Sequence, residues 1–208
     1  MNDTPQDWIH YSVSAAQNAA PIFEALLPRL ADNTRLFEVG SGTGQHAVHA
    51  CSSKPNLIWQ PSELPGSLPQ LLDNLRLYPL AGIESALPCD VLHPPTGLTH
   101  YDAVYTANTL HIMSEPAVEA LFRFASSVLH SGGFFYSYGP YLFSDRPPVE
   151  SNLRFDAQLR AQAAHQGVRE VEWLQAIARR DSLSLVDTLE LPSNNHLLVW
   201  EKASAAQP

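Results

Sequence analysis

Glycines at 40, 42 and 44 follow an apolar run that carries one acid, reading Leu36-Phe37-Glu38-Val39-Gly40-Ser41-Gly42-Thr43-Gly44. Residues 45–51 have helical character, so a buried strand, a glycine turn and a helix start come in immediate succession. A turn this tight leaves backbone N–H groups and a helix N-terminus facing one small space. Side chains there would block a ligand, and glycine admits one. The chemistry this arrangement asks for is the holding of a nucleotide-like cofactor.

Further polar groups fall where strands are expected to end. Glu63 comes about 20 residues after the last of these glycines, the distance at which a ribose-binding acid is met in dinucleotide folds. Asp90, with Val91 beside it, closes a third short strand, and Asn108 closes a fourth. Gln60 and Ser62 are alternatives to Glu63, because the register of Trp59-Gln60-Pro61-Ser62-Glu63 is open by a residue. The glycine spacing differs from the dinucleotide fingerprint GxGxxG, whose third glycine would fall at Gln45.

The elements that must position these groups follow from periodicity. Apolar residues at 22, 26, 27 and 30 predict a helix over 15–30. Strands are expected at 35–39, 57–60, within 85–91, at 101–107 and at 134–138, with helices at 44–52, 67–77 and 114–129 between them. Ser114 can cap the last of these helices, and Gly132-Gly133 is expected to stop it. Such alternation predicts a parallel sheet with helices on both faces. The end of the chain departs from this. Strands at 183–191 and 196–202 are separated only by Pro192-Ser193-Asn194-Asn195, too short for a helix, so that pair must be antiparallel. The fold class is α/β: a Rossmann-like, doubly wound, seven-stranded mixed sheet in one domain, with residues 1–34 as an N-terminal helical segment. Residues 139–155 read as an irregular wall or lid of an acceptor pocket within an insert over 139–181. Helices follow at 151–164 and 171–181, and residues 203–208 are expected to fray.

Composition bounds the partners. The net charge of −9 over 208 residues repels phosphate backbones and argues against nucleic acid. The two cysteines, Cys51 and Cys89, stand outside any CxxC pattern, which argues against a disulfide framework or a zinc site and fits a reducing cytoplasm. The first eight residues lack the pattern of a secretory signal, and no apolar run is long enough to span a membrane. His46 and His49 share one helix face, yet no third ligand stands at convincing spacing, so no metal is expected.

The spacing GxGxG with an acid at 38, together with the antiparallel last strand, resembles the class I S-adenosylmethionine-dependent methyltransferases over about residues 35–202. A closer resemblance lies in VGSGTGQHAVHA, WQPSE, ANTLHI, FYSYGPY, ESNLRFDAQLR and NNHLLVWEK, which are similar, in the same order, to the DUF938 family, also called UPF0585 or methyltransferase-like 26 proteins. The chain departs from the family pattern at Gln17-Asn18 and at Ala164-His165-Gln166-Gly167. The resemblance implies S-adenosylmethionine as cofactor. Gly40, Ser41, Gly42 and Gly44 would admit its methionine and ribose portion, and Glu38 would hold the ammonium side through water. Glu63 would accept from the ribose hydroxyls, Asp90 from the adenine amine with Val91 packing nearby, and Asn108 would meet the ammonium. His46, beside the loop, is a further candidate contact.

Methyl transfer needs a base only where the acceptor must lose a proton. His111 is the first candidate and Tyr138 the second, with Tyr141 and Arg146 as further acceptor contacts. The acceptor is a small molecule or a protein side chain. Two other readings are a non-catalytic module that keeps the cofactor pocket, and a nicotinamide-dependent dehydrogenase.

Overall fold

The computed structural model describes residues 7–204, which fall into two compact units that part after Gly97. The reading of the chain's first residues and of its last four lies largely outside the described residues.

The first unit opens with helix α1 (Val13–Leu26), whose N-terminus is capped by the Ser12 hydroxyl accepting from Ala15 N–H. Ala19, Ile22, Phe23 and Leu26 form its buried face at helical spacing. Strand β1 (Arg35–Val39), helix α2 (Gln45–Ser53), strand β2 (Ile58–Glu63), helix α3 (Leu68–Leu75) and the two-residue strand β3 (Leu87–Pro88) follow. β1 pairs parallel with β2, and β2 pairs parallel with β3. β2 runs three residues beyond the expected end at Gln60. Pro61 lacks only a donor, and its place opposite Glu38 is kept by its neighbours in the ladder. That extension puts Glu63 at the strand terminus.

The second unit contains β4 (Tyr101–Ala107), α4 (Glu115–Val128), β5 (Leu129–Leu142), α5 (Glu150–Gln162), the short β6 (Arg169–Glu170), α6 (Val171–Arg180), β7 (Leu183–Leu191) and β8 (Asn195–Lys202). β4 and β5 are parallel, β8 is antiparallel to β7, as the short connection requires, and β8 is antiparallel to β5 as well. Phe122 packs edge-on against Phe135 and Trp200 at ring separations of 5.2 and 5.0 Å, which seats α4 on its sheet.

Two expectations are corrected here. Gly132-Gly133 does not stop α4: the helix ends at Val128, and both glycines lie within β5, around a register shift against β4. Residues 139–142 are not irregular. They extend β5, with Gly139 opposite His196 and Pro140 opposite Asn195, which leaves only residues 143–149 outside regular structure before α5. At the far end Ala203 N–H still bonds the Ser182 carbonyl at 2.9 Å. No helix among the described residues is long and apolar enough to cross a membrane.

Candidate functional site

The loop between β1 and α2 is stitched to the end of β2 by serines. Ser41 N–H donates to the Ser62 carbonyl at 2.8 Å, Ser62 N–H donates to Ser41 Oγ at 3.1 Å, and Ser62 Oγ donates to the Glu38 carbonyl at 2.6 Å. Gly42 and Gly44 have φ of 55° and 81°, where side-chain-bearing residues are strained. Their surroundings differ. A Cβ on Gly44 would lie 2.9 Å from Leu71 Cδ1 and 3.0 Å from Leu75 Cδ2, whereas a Cβ on Gly42 would meet nothing within 4 Å. A side chain on Gly44 would press on the leucines of α3, and Gly42 borders open space.

Glu63 faces that same loop. Its Oε2 accepts from Gly42 N–H at 2.7 Å and its Oε1 from Leu64 N–H at 2.8 Å. The sequence-based register is thus resolved: Gln60 is buried and bonds backbone carbonyls of Pro61 and Ser85, Ser62 is part of the stitching, and Glu63 is the acid at the loop.

Glu38 is buried, its Oε2 accepting from Trp59 Nε1 at 2.8 Å, with the Ser41 side chain as a second partner. Its carboxylate is taken up inside the unit, beneath the loop. Burial pushes its pKa up to about 7, against the pull of those two hydrogen bonds. A carboxyl that holds its proton more tightly when folded favours the fold at low pH. This advantage is lost as pH rises from the unfolded value toward about 7. Glu38→Gln should therefore gain stability relative to the wild type as pH rises from 4.5 to 8, by about 3 kcal/mol. Thermal midpoints of the two proteins across that range check this, and parallel pH profiles would contradict it.

Both oxygens of Asp90 are engaged in a local turn: Oδ1 accepts from Leu92 N–H at 3.0 Å and Oδ2 pairs with His93 Nδ1 at 3.2 Å. These contacts, His93 first, hold its carboxyl below the usual carboxylate range. Val91 is buried beside it. His46 is drawn against α1: Nε2 pairs with Asn18 Oδ1 at 2.8 Å, and the ring packs edge-on against Phe23. Burial lowers its pKa to about 4 and keeps it neutral. His49 stacks on the same Phe23.

Asn74 is a residue the sequence reading missed. Fully buried on α3, its Nδ2 donates to the carbonyls of Thr43 in the glycine loop (2.8 Å) and His10 (2.7 Å). Its Oδ1 accepts from Ile9 N–H at 3.1 Å and His10 N–H at 3.0 Å. The segment before α1 is thereby tied to the loop. Gln45 adds a second tie, its Oε1 accepting from Ser12 N–H at 2.7 Å and Thr43 Oγ1 at 2.8 Å. A polar residue on a helix is commonplace, so no sequence signal marked either one.

In the second unit Asn108 follows β4 with φ of 57°, its N–H donating to the Tyr138 carbonyl at 2.9 Å. A Cβ on Gly139 would lie 3.9 Å from both Asn108 Oδ1 and His111 Nδ1, so these two side chains converge on Gly139. His111 is buried, edge-on to Phe155, and burial together with the Arg169 charge lowers its pKa to about 4. Tyr138 is buried too, and burial raises its phenol above the ordinary value. Arg169, also missed, clasps the loop that bears His111. Its Nε donates to the Leu110 carbonyl at 3.1 Å, and its Nη2 donates to the carbonyls of Met113 and of His165, the latter at 2.8 Å.

Comparison with solved structures finds this fold in methyltransferases. An O-methyltransferase family 2 protein from Planctomyces limnophilus, solved with apigenin, is 22% identical at a TM-score of 0.74, over 92% of this chain and 60% of that one. An O-methyltransferase family protein from Burkholderia thailandensis is 16% identical at 0.77, over 93% and 58%. Human N-acetylserotonin methyltransferase, solved with S-adenosylmethionine, is 14% identical at 0.77, over 92% and 53%. The chain thus spans little more than half the length of these proteins, and what it shares with them is the Rossmann-like mixed α/β fold. The model of a family of proteins of unknown function, DUF938, matches residues 9–202, nearly the whole sequence. The chain belongs to the DUF938 family.

Proposed function

We propose that this protein binds S-adenosylmethionine at its glycine loop and transfers the methyl group to a small-molecule or protein acceptor. The observation that carries this reading is the open space at Gly42, bordered by a backbone N–H and by the Glu63 carboxylate at the end of β2. A diol needs an acceptor such as that carboxylate, and a ligand lying against the backbone needs the missing Cβ. The residues present therefore fit the group. The fold shared with a methyltransferase solved with S-adenosylmethionine supports the same choice.

When bound, the cofactor supplies a methyl carbon activated by a sulfonium, with a neutral thioether as leaving group. The chain's own part is to bind and align. Glu63, fixed by the N–H groups of Gly42 and Leu64, would hold the ribose end, Glu38 supports the loop through Ser41 and Trp59, and Asp90 with Val91 would border the adenine. Alignment alone can supply about 7–11 kcal/mol of a bimolecular barrier. In the second unit His111, neutral at pH 7, is the group for a proton on the acceptor's nucleophile, and Tyr138 is the second candidate.

The depressed basicity of His111 also favours a second reading, a binding module without transferase activity. Incubation of the protein with methyl-labelled S-adenosylmethionine and fractionated cell extract separates the two. Label transferred to a component of the extract is the expected result. A protein that binds the cofactor yet transfers no label to any fraction would leave only the binding module.

A further inference from the structure

A cavity of about 290 Å³ opens in the second unit between the loop after β5 and the turn joining β7 to β8. Its walls draw on Tyr141, Phe143, Val149, Asn152, Leu191 and His196. Three of the segments that resemble the family pattern, ending in Tyr141, containing Asn152 and containing His196, thus meet at one cavity.

The cavity is braced. Asn152, buried at the start of α5, donates from Nδ2 to the Tyr141 carbonyl at 3.4 Å and to the Asn194 carbonyl at 3.3 Å, spanning both walls. Asn194 Nδ2 returns a bond to Ser151 Oγ at 3.1 Å. The charge at its rim is already satisfied. Arg146 lies over the Phe143 ring at 4.3 Å and pairs with Asp145 at 3.1 Å and Glu190 at 3.3 Å. The charges at the rim are thus paired with one another, which weakens their pull on a charged ligand.

Two polar atoms of the wall residues are sealed without a hydrogen bond, the Tyr141 hydroxyl and one ring nitrogen of His196. His196 packs against Phe143 at a ring separation of 4.7 Å, and its Nδ1 is sealed from solvent with no hydrogen bond. Burial keeps the ring neutral. A buried N–H left unpaired costs more than an unpaired ring lone pair, so the proton belongs on Nε2, the nitrogen left to donate. The aromatic and aliphatic side chains Phe143, Val149 and Leu191 suit a flat ring, the polar groups Asn152 and His196 beside them suit a hydrogen-bonding substituent, and the volume suits a small molecule.

We propose that this cavity is a binding site for a small uncharged aromatic molecule that carries a hydrogen-bond-accepting oxygen. All its residues lie in the second unit, so the inference stands or falls separately from the cofactor reading.

Acetophenone is a suitable probe, with toluene lacking the oxygen and with benzoate and benzylammonium carrying charge. Each is titrated into the whole protein labelled with ¹⁵N-histidine, and the His196 resonances are identified from a His196→Phe variant. Acetophenone is expected to shift the His196 Nε2 resonance saturably, at least fivefold more tightly than the other three. His196→Phe, followed through ligand-detected signals, should weaken it by a similar factor. Val149→Trp, a change on the half-exposed rim that fills the cavity, should abolish it. No saturable shift at millimolar acetophenone, equal binding of toluene or benzoate, or unchanged binding in folded Val149→Trp would overturn the proposal.

Discussion

Arg169→Leu is expected to lower the thermal midpoint by about 10 °C, the largest stability loss from any single polar side chain in the second unit. Arg169 is 5% exposed, and its guanidinium donates to three carbonyls, from Leu110, Met113 and His165. Each charge-assisted bond contributes about 1.5–3 kcal/mol, and a buried carbonyl left without a donor adds a desolvation cost of its own. The contributions overlap, so a total of about 3–5 kcal/mol is expected. Glu115, 3.9 Å away and well exposed, adds little. Arg169→Lys should recover less than half, because a compact ammonium cannot match the fork that reaches carbonyls on separate segments. Since Leu110 and Met113 flank His111, loss of the clasp should also disorder the candidate acceptor loop. A midpoint within 2 °C of the wild type would contradict this account, and calorimetric melting measures it.

Gly42→Val is expected to remove cofactor binding by at least about 100-fold while leaving the protein folded. The two halves of this expectation have different causes. The left-handed φ of 55° strains a side-chain-bearing residue by about 1–2 kcal/mol, a loss of a few degrees in the midpoint. Its Cβ meets no protein atom within 4 Å, so no clash adds to that strain. The valine methyls instead enter the space assigned to the ligand. Gly44→Ala is the contrasting change: its Cβ would press on Leu71 and Leu75, so it should act through the packing of α3 and cost stability. Equal cofactor affinity in wild type and Gly42→Val would contradict the assignment.

The legible part of this site was local. A strand, alternating glycines and a helix start are written within ten residues, and the spacing to Glu63 is a chain distance that the parallel β1–β2 pairing converts into proximity. The antiparallel end was legible because a four-residue connection admits nothing else. What escaped depends on contacts far apart in sequence. Gly139-Pro140 carries the composition of a turn, yet pairing with His196 and Asn195 of β8 holds it in a strand. Gly132-Gly133 has the composition of a helix stop, but Leu129 had already left the helix to pair with Tyr101. Asn74 and Arg169 act by satisfying backbone groups 31 and 59 residues away, which no local pattern encodes. His46 stood in the right place along the chain, and the fold turned it toward Asn18 on α1.

The central claim is that the glycine loop and Glu63 together hold the cofactor. Calorimetric titration of S-adenosylhomocysteine into wild type and Glu63→Ala tests it most directly. The account predicts micromolar binding to the wild type and a loss of about 10–100-fold in Glu63→Ala, the effect of removing a charged acceptor from bound hydroxyls. Silence at millimolar ligand in the wild type, or an unchanged affinity in Glu63→Ala, would contradict it.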